Sequence, residues 1–394
     1  MRADVLNMKE LLIEPIPVKK LHEFAEIALA DRARYEILPI DPIRAAAQSN
    51  NPVADGDDAG LMVAYYEGKC VGHQGLIPIE LSLDGKLHKI IATVALFIEK
   101  DFRGKRTTDG LTVAEAIYRK SLDLGFDVMN TGFGRARERL HERRPEWFVQ
   151  TRPLDFCQTS FSLLQPFSTS FRKLGVSSNN SPLKVFHDFA QSKLERPFMG
   201  AISTILGTKK NNASLYRVHA VERIVPVSGV SAVRKGVCYL PRSVETLNWM
   251  TSSPWHPTGV NPYPRCYFCN SRQKFRFYPF QIYRGTDEPV GYFILSLSTE
   301  QEFTTLKILD YDFNNPSIAG AILNYAIKFG LINSCNLLEY SRSFYPLIES
   351  NWMQSRLTRI AKRPYWFALQ PESPLTGRLG EFEPDYCDGE RPFL

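Results

Sequence analysis

Apolar positions along this chain follow two rhythms, and the switches between them mark its elements. Between Val18 and Arg32, residues Leu21, Phe24, Ala25, Ala28 and Leu29 fall on one face at helical spacing, which predicts an amphipathic helix. The polar, Asn/Asp/Gly-rich stretch from Ala46 to Gly60 reads as a loop. Leu61-Met-Val-Ala-Tyr-Tyr66, a Glu-Gly-Lys turn and the run from Cys70 to Pro78 then predict an antiparallel hairpin. Leu83-Asp-Gly-Lys86 predicts another tight turn, leading towards a β-branched, apolar strand that ends at Ile98. After a short basic, hydroxyl-rich turn, Leu111, Ala114, Ile117, Tyr118 and Leu122 return to helical spacing. Gly125 supplies a C-cap, and Asp127 to Thr131 reads as the next strand.

The second half runs through a similar series. Phe280-Gln-Ile-Tyr283 and Val290 to Leu297 form a hairpin, and Leu306-Lys-Ile-Leu-Asp-Tyr-Asp312 reads as a strand. Pro316 then opens a helix carrying Ile318, Ala321, Ile322, Tyr325 and Phe329, which ends at Gly330 before a strand over Asn336 to Tyr340. Val71-Gly72 matches Val290-Gly291, and Arg144-Pro-Glu-Trp-Phe148 matches Arg363-Pro-Tyr-Trp-Phe367. These matches and the common element order favour an internal duplication. Residues Ser168 to Asn180 are Ser/Asn-rich and read as a boundary, with a bridging helix over Val185 to Leu194. The expected division is therefore a first domain over 1–167, a linker over 168–214 and a second domain over 215–394.

At 394 residues, two separate cores are affordable, and a net charge of +6 is too mild to imply nucleic acid by itself. The aromatic residues sit within apolar patterns rather than as a base-stacking platform, so nucleic acid is not an expected partner. No apolar run approaches the ~20 residues of a membrane-spanning helix, and Met1-Arg-Ala-Asp-Val5 is not a secretory signal. The expectation is a cytoplasmic protein with no membrane partner. Seven dispersed cysteines argue for reduced thiols, and Cys266-Tyr-Phe-Cys269, with no second pair, reads as strand or hairpin rather than zinc or redox centre. No metal is expected.

The candidate chemistry gathers at Ile98-Glu-Lys-Asp-Phe-Arg-Gly-Lys-Arg-Thr-Thr108, where a strand feeds a basic turn and then a helix. Free N–H groups and the positive end of a helix dipole make such a junction a natural pyrophosphate site. The segment resembles the pyrophosphate loop of the GCN5-related N-acetyltransferase superfamily, valine-x-proline-x-tyrosine-arginine-glycine-x-glycine-x-glycine. Ile98, Phe102, Arg103 and Gly104 stand at matching positions, whereas Lys100 replaces the common proline, and Arg106 and Thr108 stand where the later glycines sit. The resemblance is at motif level near Arg103 and at fold level over most of the chain. It implies an α/β fold class with two tandem domains, each a mixed, mostly antiparallel sheet flanked by helices.

By that resemblance, Leu96, Phe97 and Ile98 lie beside the pantetheine arm of acetyl-CoA or another acyl-CoA, and Arg103, Gly104, Lys105, Arg106, Thr107 and Thr108 hold its phosphates. The second half has no such loop after Asp312, so it is expected to be degenerate or to bind the acceptor. Glu99 is the first candidate base for a neutral attacking amine, His73 with Gln74 the second, and Tyr345 a candidate acid for the departing thiolate. Asp310 and Asp312 are candidates for binding a cationic acceptor amine. Against each stands a structural reading: a solvated turn, a satisfied core histidine, a helix start. The basic run Arg135 to Arg144 reads as a solvent-facing helix, as contacts to the coenzyme's phosphates or an acidic acyl carrier protein, or as a nucleic-acid contact. The implied activity is transfer of an acyl group to a small-molecule amine, such as an amino sugar or amino-acid derivative, by direct attack on the thioester. The alternatives are a carrier-protein- or aminoacyl-tRNA-dependent transferase, and an inactive binding protein that keeps the fold.

Overall fold

The computed structural model describes residues 11–131, 135–161, 216–227, 238–260, 262–266, 274–285, 288–300, 303–349, 358–385 and 387–388. The Ser/Asn-rich stretch 168–180, the helix expected over 185–194 and Cys269 lie outside them. In chain order the elements begin β1 (Leu11–Pro17), α1 (Leu21–Ala30), α2 (Pro42–Ser49), β2 (Ala59–Tyr66), β3 (Lys69–Leu83), β4 (Lys86–Ile98) and α3 (Val113–Leu122). They continue with β5 (Val128–Thr131), α4 (Arg135–Arg143), β6 (Val149–Gln150), β7 (Leu154–Ser160), β8 (Tyr216–Ala220), β9 (Cys238–Tyr239) and α5 (Val244–Ser252). The last are β10 (Lys274–Arg284), β11 (Glu288–Glu300), β12 (Phe303–Phe313), α6 (Ile318–Ile332), β13 (Leu337–Ser341), α7 (Tyr345–Glu349), β14 (Thr358–Arg363) and β15 (Tyr365–Ala368).

Two mixed, mostly antiparallel sheets carry the fold, as the resemblance implies. The first has the strand order β1-β2-β3-β4-β5-β15-β6 with β9 beside β3, and the second β14-β7-β13-β12-β11-β10-β8. Pairing is parallel only between β4 and β5 in the first and between β12 and β13 in the second, among the registers described. Helix α3 covers one face of the first sheet, where Val113, Ile117 and Tyr118 pack on Met62, Leu76 and Ile91. The other face is covered through Leu21, Phe24 and Ala25 of α1, which pack with Leu61, Val63 and Tyr65.

The units are not the two continuous domains expected from the sequence. One comprises Met1–Leu154, Ser231–Gln273 and Lys362–Leu394; the other comprises Asp155–Val230 and Lys274–Ala361. The reason is strand pairing. Strand β7 of the first half lies antiparallel to β13, and β15 of the second half lies antiparallel to β5. A reading by apolar rhythm identifies both strands but does not say which sheet takes them.

Local departures have local causes. The loop expected from Ala46 begins later, because Asp41 caps α2 by accepting the Arg44 N–H at 3.0 Å and Pro42 occupies its first turn. Asp84 and Gly85, at φ 51° and 81°, make the tight turn that the sequence announces. The Arg-Pro repeat is not a structural one: residues Pro145–Trp147 form a 3₁₀ turn, whereas Arg363 ends β14 and Tyr365–Phe367 lie in β15. Among the described residues five cysteines are free and buried, but Cys266 is disulfide-bonded, against the expectation of reduced thiols. Among the described residues no helix is long and apolar enough to cross a membrane.

Gly330 does not end α6 but lies within it, against Phe161. A Cβ there would stand 2.6 Å from Phe161 Cζ, closer than packed atoms tolerate. Gly330→Ala is expected to cost about 1–3 kcal/mol, the range for overpacking, measured by denaturant titration of the full chain. An unchanged midpoint would show that the Phe161 ring moves aside freely.

Candidate functional site

Strand β4 leaves its regular ladder at one residue. Ala95 has φ 55°, and the pairing with β3 shifts there: Gly75 pairs with Val94 and His73 with Phe97, so Ala95 and Leu96 both stand opposite Gln74. A bulge bends the strand that carries it. The parallel pairing with β5 covers Ile91–Thr93, so β4 parts from β5 where the bulge begins. Beyond it, one edge of β4 stays paired with β3 as far as Ile98 opposite Gly72. A Cβ on Gly72 would come within 3.1 Å of the Phe97 carbonyl oxygen, which explains a glycine in this strand. The other edge of β4 turns its alternate N–H and C=O groups towards a cavity of about 480 Å³.

Three elements complete this cavity. Leu96, Phe97 and Ile98 form its β4 wall, and Phe102, Arg103 and Gly104 of the following loop border it. The first turn of α3 contributes Thr112, Val113, Ala114 and Glu115, and α4 contributes Arg139, Leu140 and Arg143. The floor is mainly apolar, and among the described residues the charged groups lining it are Arg103, Arg139, Arg143 and Glu115.

The loop itself is tied inward. Arg103 donates its Nε–H to the Ile98 carbonyl at 2.9 Å and holds its guanidinium 5.9 Å from the Phe97 ring centroid. The Lys105 ammonium lies 4.8 Å from the Phe102 ring centroid. Arg106 donates to the Gly110 carbonyl, and Thr107, buried, bonds through its hydroxyl to Leu111 at 3.1 Å. Thr108 bonds to Asp109. Of the expected donor-binding residues, Leu96, Phe97, Ile98, Arg103 and Gly104 line the cavity, whereas Lys105, Arg106, Thr107 and Thr108 do not. Without the later glycines, the loop closes on its own polar side chains.

The α3 N-terminus is capped by reciprocal bonds. The Glu115 carboxylate accepts the Thr112 N–H at 2.6 Å, and the Thr112 hydroxyl accepts the Glu115 N–H at 3.3 Å. Glu115 also stands 3.5 Å from Arg144 Nε. Thr112-x-x-Glu115 is the sequence signature of this cap and marks the start of the helix. The Arg135–Arg143 run was visible as a basic helix, but only the structure shows which of its arginines reach the cavity.

The expected acid–base residues fall elsewhere. His73 is 1% exposed and stacks on Phe97 with ring centroids 5.4 Å apart. Burial, reinforced by the positive charge of Arg44, pulls its pKa down to about 3. An imidazole so weakly basic is a poor acceptor for an ammonium proton. Glu99 has its pKa raised, first by burial and then by the negative charges of Glu36 and Asp101. It follows the β4 wall but does not line the cavity. Tyr345, Asp310 and Asp312 belong to the second unit. There Asp310 is buried and accepts the Tyr292 hydroxyl at 3.1 Å, Asp312 bonds to the Phe313 N–H at 2.9 Å, and Tyr345 packs against the unit's apolar core. Among the described residues there is no cluster of three or more metal-ligating side chains.

No protein-family model matches the sequence, and no curated protein matches it. Solved structures do match in fold. A GCN5-related N-acetyltransferase from Anabaena variabilis is 11% identical over 91% of this chain and 72% of its own, with a TM-score of 0.45. An N-myristoyltransferase of Saccharomyces cerevisiae with bound myristoyl-CoA is 9% identical over 93% of this chain and 81% of its own, also with a TM-score of 0.45.

Proposed function

We propose that the first unit binds an acyl-CoA, in the simplest case acetyl-CoA, and that the acyl group passes to the amine of a small molecule. One observation carries this reading: the bulge at Ala95 separates β4 from β5 beside a cavity that runs from the open strand edge to a helix N-terminus and three arginines. An extended pantetheine arm has an amide-rich strand edge to lie along, and a phosphate has cations to meet at the other end. A strand N–H facing the thioester carbonyl would stabilise the negative charge that develops on its oxygen. The amine nitrogen attacks the carbonyl carbon, the C–S bond breaks, and the thiolate leaves with a proton. Glu99, made more basic by its surroundings than an ordinary carboxylate, is the side chain nearest in sequence to receive the amine's proton. The acceptor this reading favours is a small-molecule amine such as an amino sugar or amino-acid derivative.

The exposure of Arg139 and Arg143 favours a second donor of the same chemistry, an acidic acyl carrier protein bearing phosphopantetheine.

Ala114, itself half-buried, lines the cavity from the first turn of α3, so an indole there projects into that space. Calorimetric titration of acetyl-CoA is expected to give micromolar binding to the wild type and about 100-fold weaker binding to Ala114→Trp, equivalent to about 2.7 kcal/mol. Release of thiol from acetyl-CoA in the presence of an amine panel then identifies the acceptor. A wild type that binds no acyl-CoA would end this reading.

A further inference from the structure

Helix N-termini hold phosphates because their first N–H groups lack partners and their dipole is positive. At α3 neither condition is met in full. The N–H groups of Thr112 and Glu115 are engaged in the capping box, and the Glu115 carboxylate, 2% exposed, sets a negative charge at the dipole's positive end. That carboxylate is buried, with Arg144 Nε 3.5 Å away as its counter-charge. The loop does not compensate: Arg106 is bonded to Gly110, Thr107 to Leu111, and Lys105 lies over Phe102. Arg103 borders the cavity with its Nε–H already donated to Ile98.

Across the cavity stands α4. Arg139 and Arg143 are separated by four residues and therefore share one helix face, both line the cavity, and both are solvent-exposed. Two guanidinium groups one turn apart present a fork-shaped set of donors matched to phosphate oxygens. From this placement we infer that Arg139 and Arg143 of α4 form the donor's phosphate-binding site, taking over the work of the occupied helix N-terminus, with Glu115 limiting how much negative charge the site accepts. The ligand class is a phosphorylated pantetheine thioester. The inference rests on the acyl-donor reading above and assigns the residues that discriminate among such donors.

The test is a ladder of three probes of increasing charge: S-acetyl-pantetheine, S-acetyl-4′-phosphopantetheine and acetyl-CoA, each titrated calorimetrically into the full chain. In the wild type the two phosphorylated probes bind more tightly than the unphosphorylated one. In Arg139→Gln/Arg143→Gln that advantage disappears: acetyl-CoA weakens about tenfold to a hundredfold, while S-acetyl-pantetheine binds as before. Glu115→Gln keeps hydrogen-bonding atoms for the cap and removes the charge, so both phosphorylated probes tighten severalfold and S-acetyl-pantetheine does not. An undiminished phosphate advantage in the double variant, or equal weakening of all three probes, overturns the inference. Failure of the donor reading looks different, because the wild type then binds none of the three.

Discussion

A chain ended at residue 361 is expected to lose its first unit as a folded body. Strand β15 sits between β5 and β6, paired from Tyr365 with Thr131 to Ala368 with Val128. Tyr365 and Phe367 are fully buried, and Phe382 packs on both rings at 5.7 and 5.1 Å. The segment after the strand is tied down as well: the Gln370 N–H and the Ser373 hydroxyl both donate to Asp127, at 2.7 and 2.6 Å. Each large buried apolar side chain removed forfeits about 1.5–3 kcal/mol, and these together with the lost sheet ladder are comparable to the ~5–15 kcal/mol by which domains are usually stable. The cavity beside β4 shares β5's sheet and should vanish with it. Circular dichroism melting and limited proteolysis of residues 1–361 would check this. A protease-resistant fragment beginning near Leu11, able to bind acetyl-CoA, would show that the first unit stands without its last strand.

The second large effect is expected at Arg242, and it should depend on pH. Asp388 has a fully buried side chain that bonds to Arg242 Nη1 at 2.8 Å, while Arg242 also reaches Asp385 at 3.5 Å. Burial raises the Asp388 pKa to about 7; Arg242 opposes the rise and Asp385 adds to it. The folded chain thus holds this proton more tightly than the unfolded chain, whose carboxyl titrates near 3.9. Stability is therefore fully present below about pH 4 and falls as pH rises to about 7, by at most about 1.4 kcal/mol per pH unit. Removing the partner of a buried charge costs about 3–5 kcal/mol. Arg242→Ala should approach that loss at pH 8, where Asp388 is ionised in the wild type, and lose less at pH 5. Asp388→Asn should flatten the pH dependence. Denaturant titrations at the two pH values read both effects, and equal losses for Arg242→Ala at pH 5 and 8 would remove Asp388 from the explanation.

Short-range patterns made most of this architecture legible. The alternation in Leu61 to Pro78 and the Asp84-Gly85 turn place β2 and β3 within a few residues, and the helical spacing from Leu111 to Leu122 finds α3. Helix α2 was missed because Pro42-Ile-Arg-Ala-Ala-Ala-Gln-Ser49 is short and polar-rich, and only the Asp41-Pro42 cap marks it. The cavity beside β4 was half legible. Leu96 to Gly104 could be placed from the strand–turn order, but the engagement of Arg106 and Thr107 within their own loop depends on backbone geometry at Gly110 and Leu111. The burial of His73 beside Arg44 depends on α2 packing near β3, a tertiary fact that no spacing in either element encodes. The same holds for the destinations of β7 and β15, since a strand's alternation says which faces it buries and not which neighbour it takes.

The bulge has a counterpart in the second sheet that bears on how the chain arose. In β12 the parallel pairing with β13 ends at Lys307 and the register with β11 skips Leu309, two residues later, as it does between Thr93 and Ala95 in β4. Two halves that share an irregularity at the same place are well explained as copies of one ancestor. In a single-copy ancestor the strand that became β7 and β15 would have had to cross to a second, identical chain to make the pairings seen here. Such an ancestor is a domain-swapped homodimer, and fusion of its genes would join the two copies in one chain. On that account the two copies would have been free to diverge, and they now differ at this junction: a long basic loop precedes α3, whereas Asn314-Asn315-Pro316-Ser317 alone precedes α6.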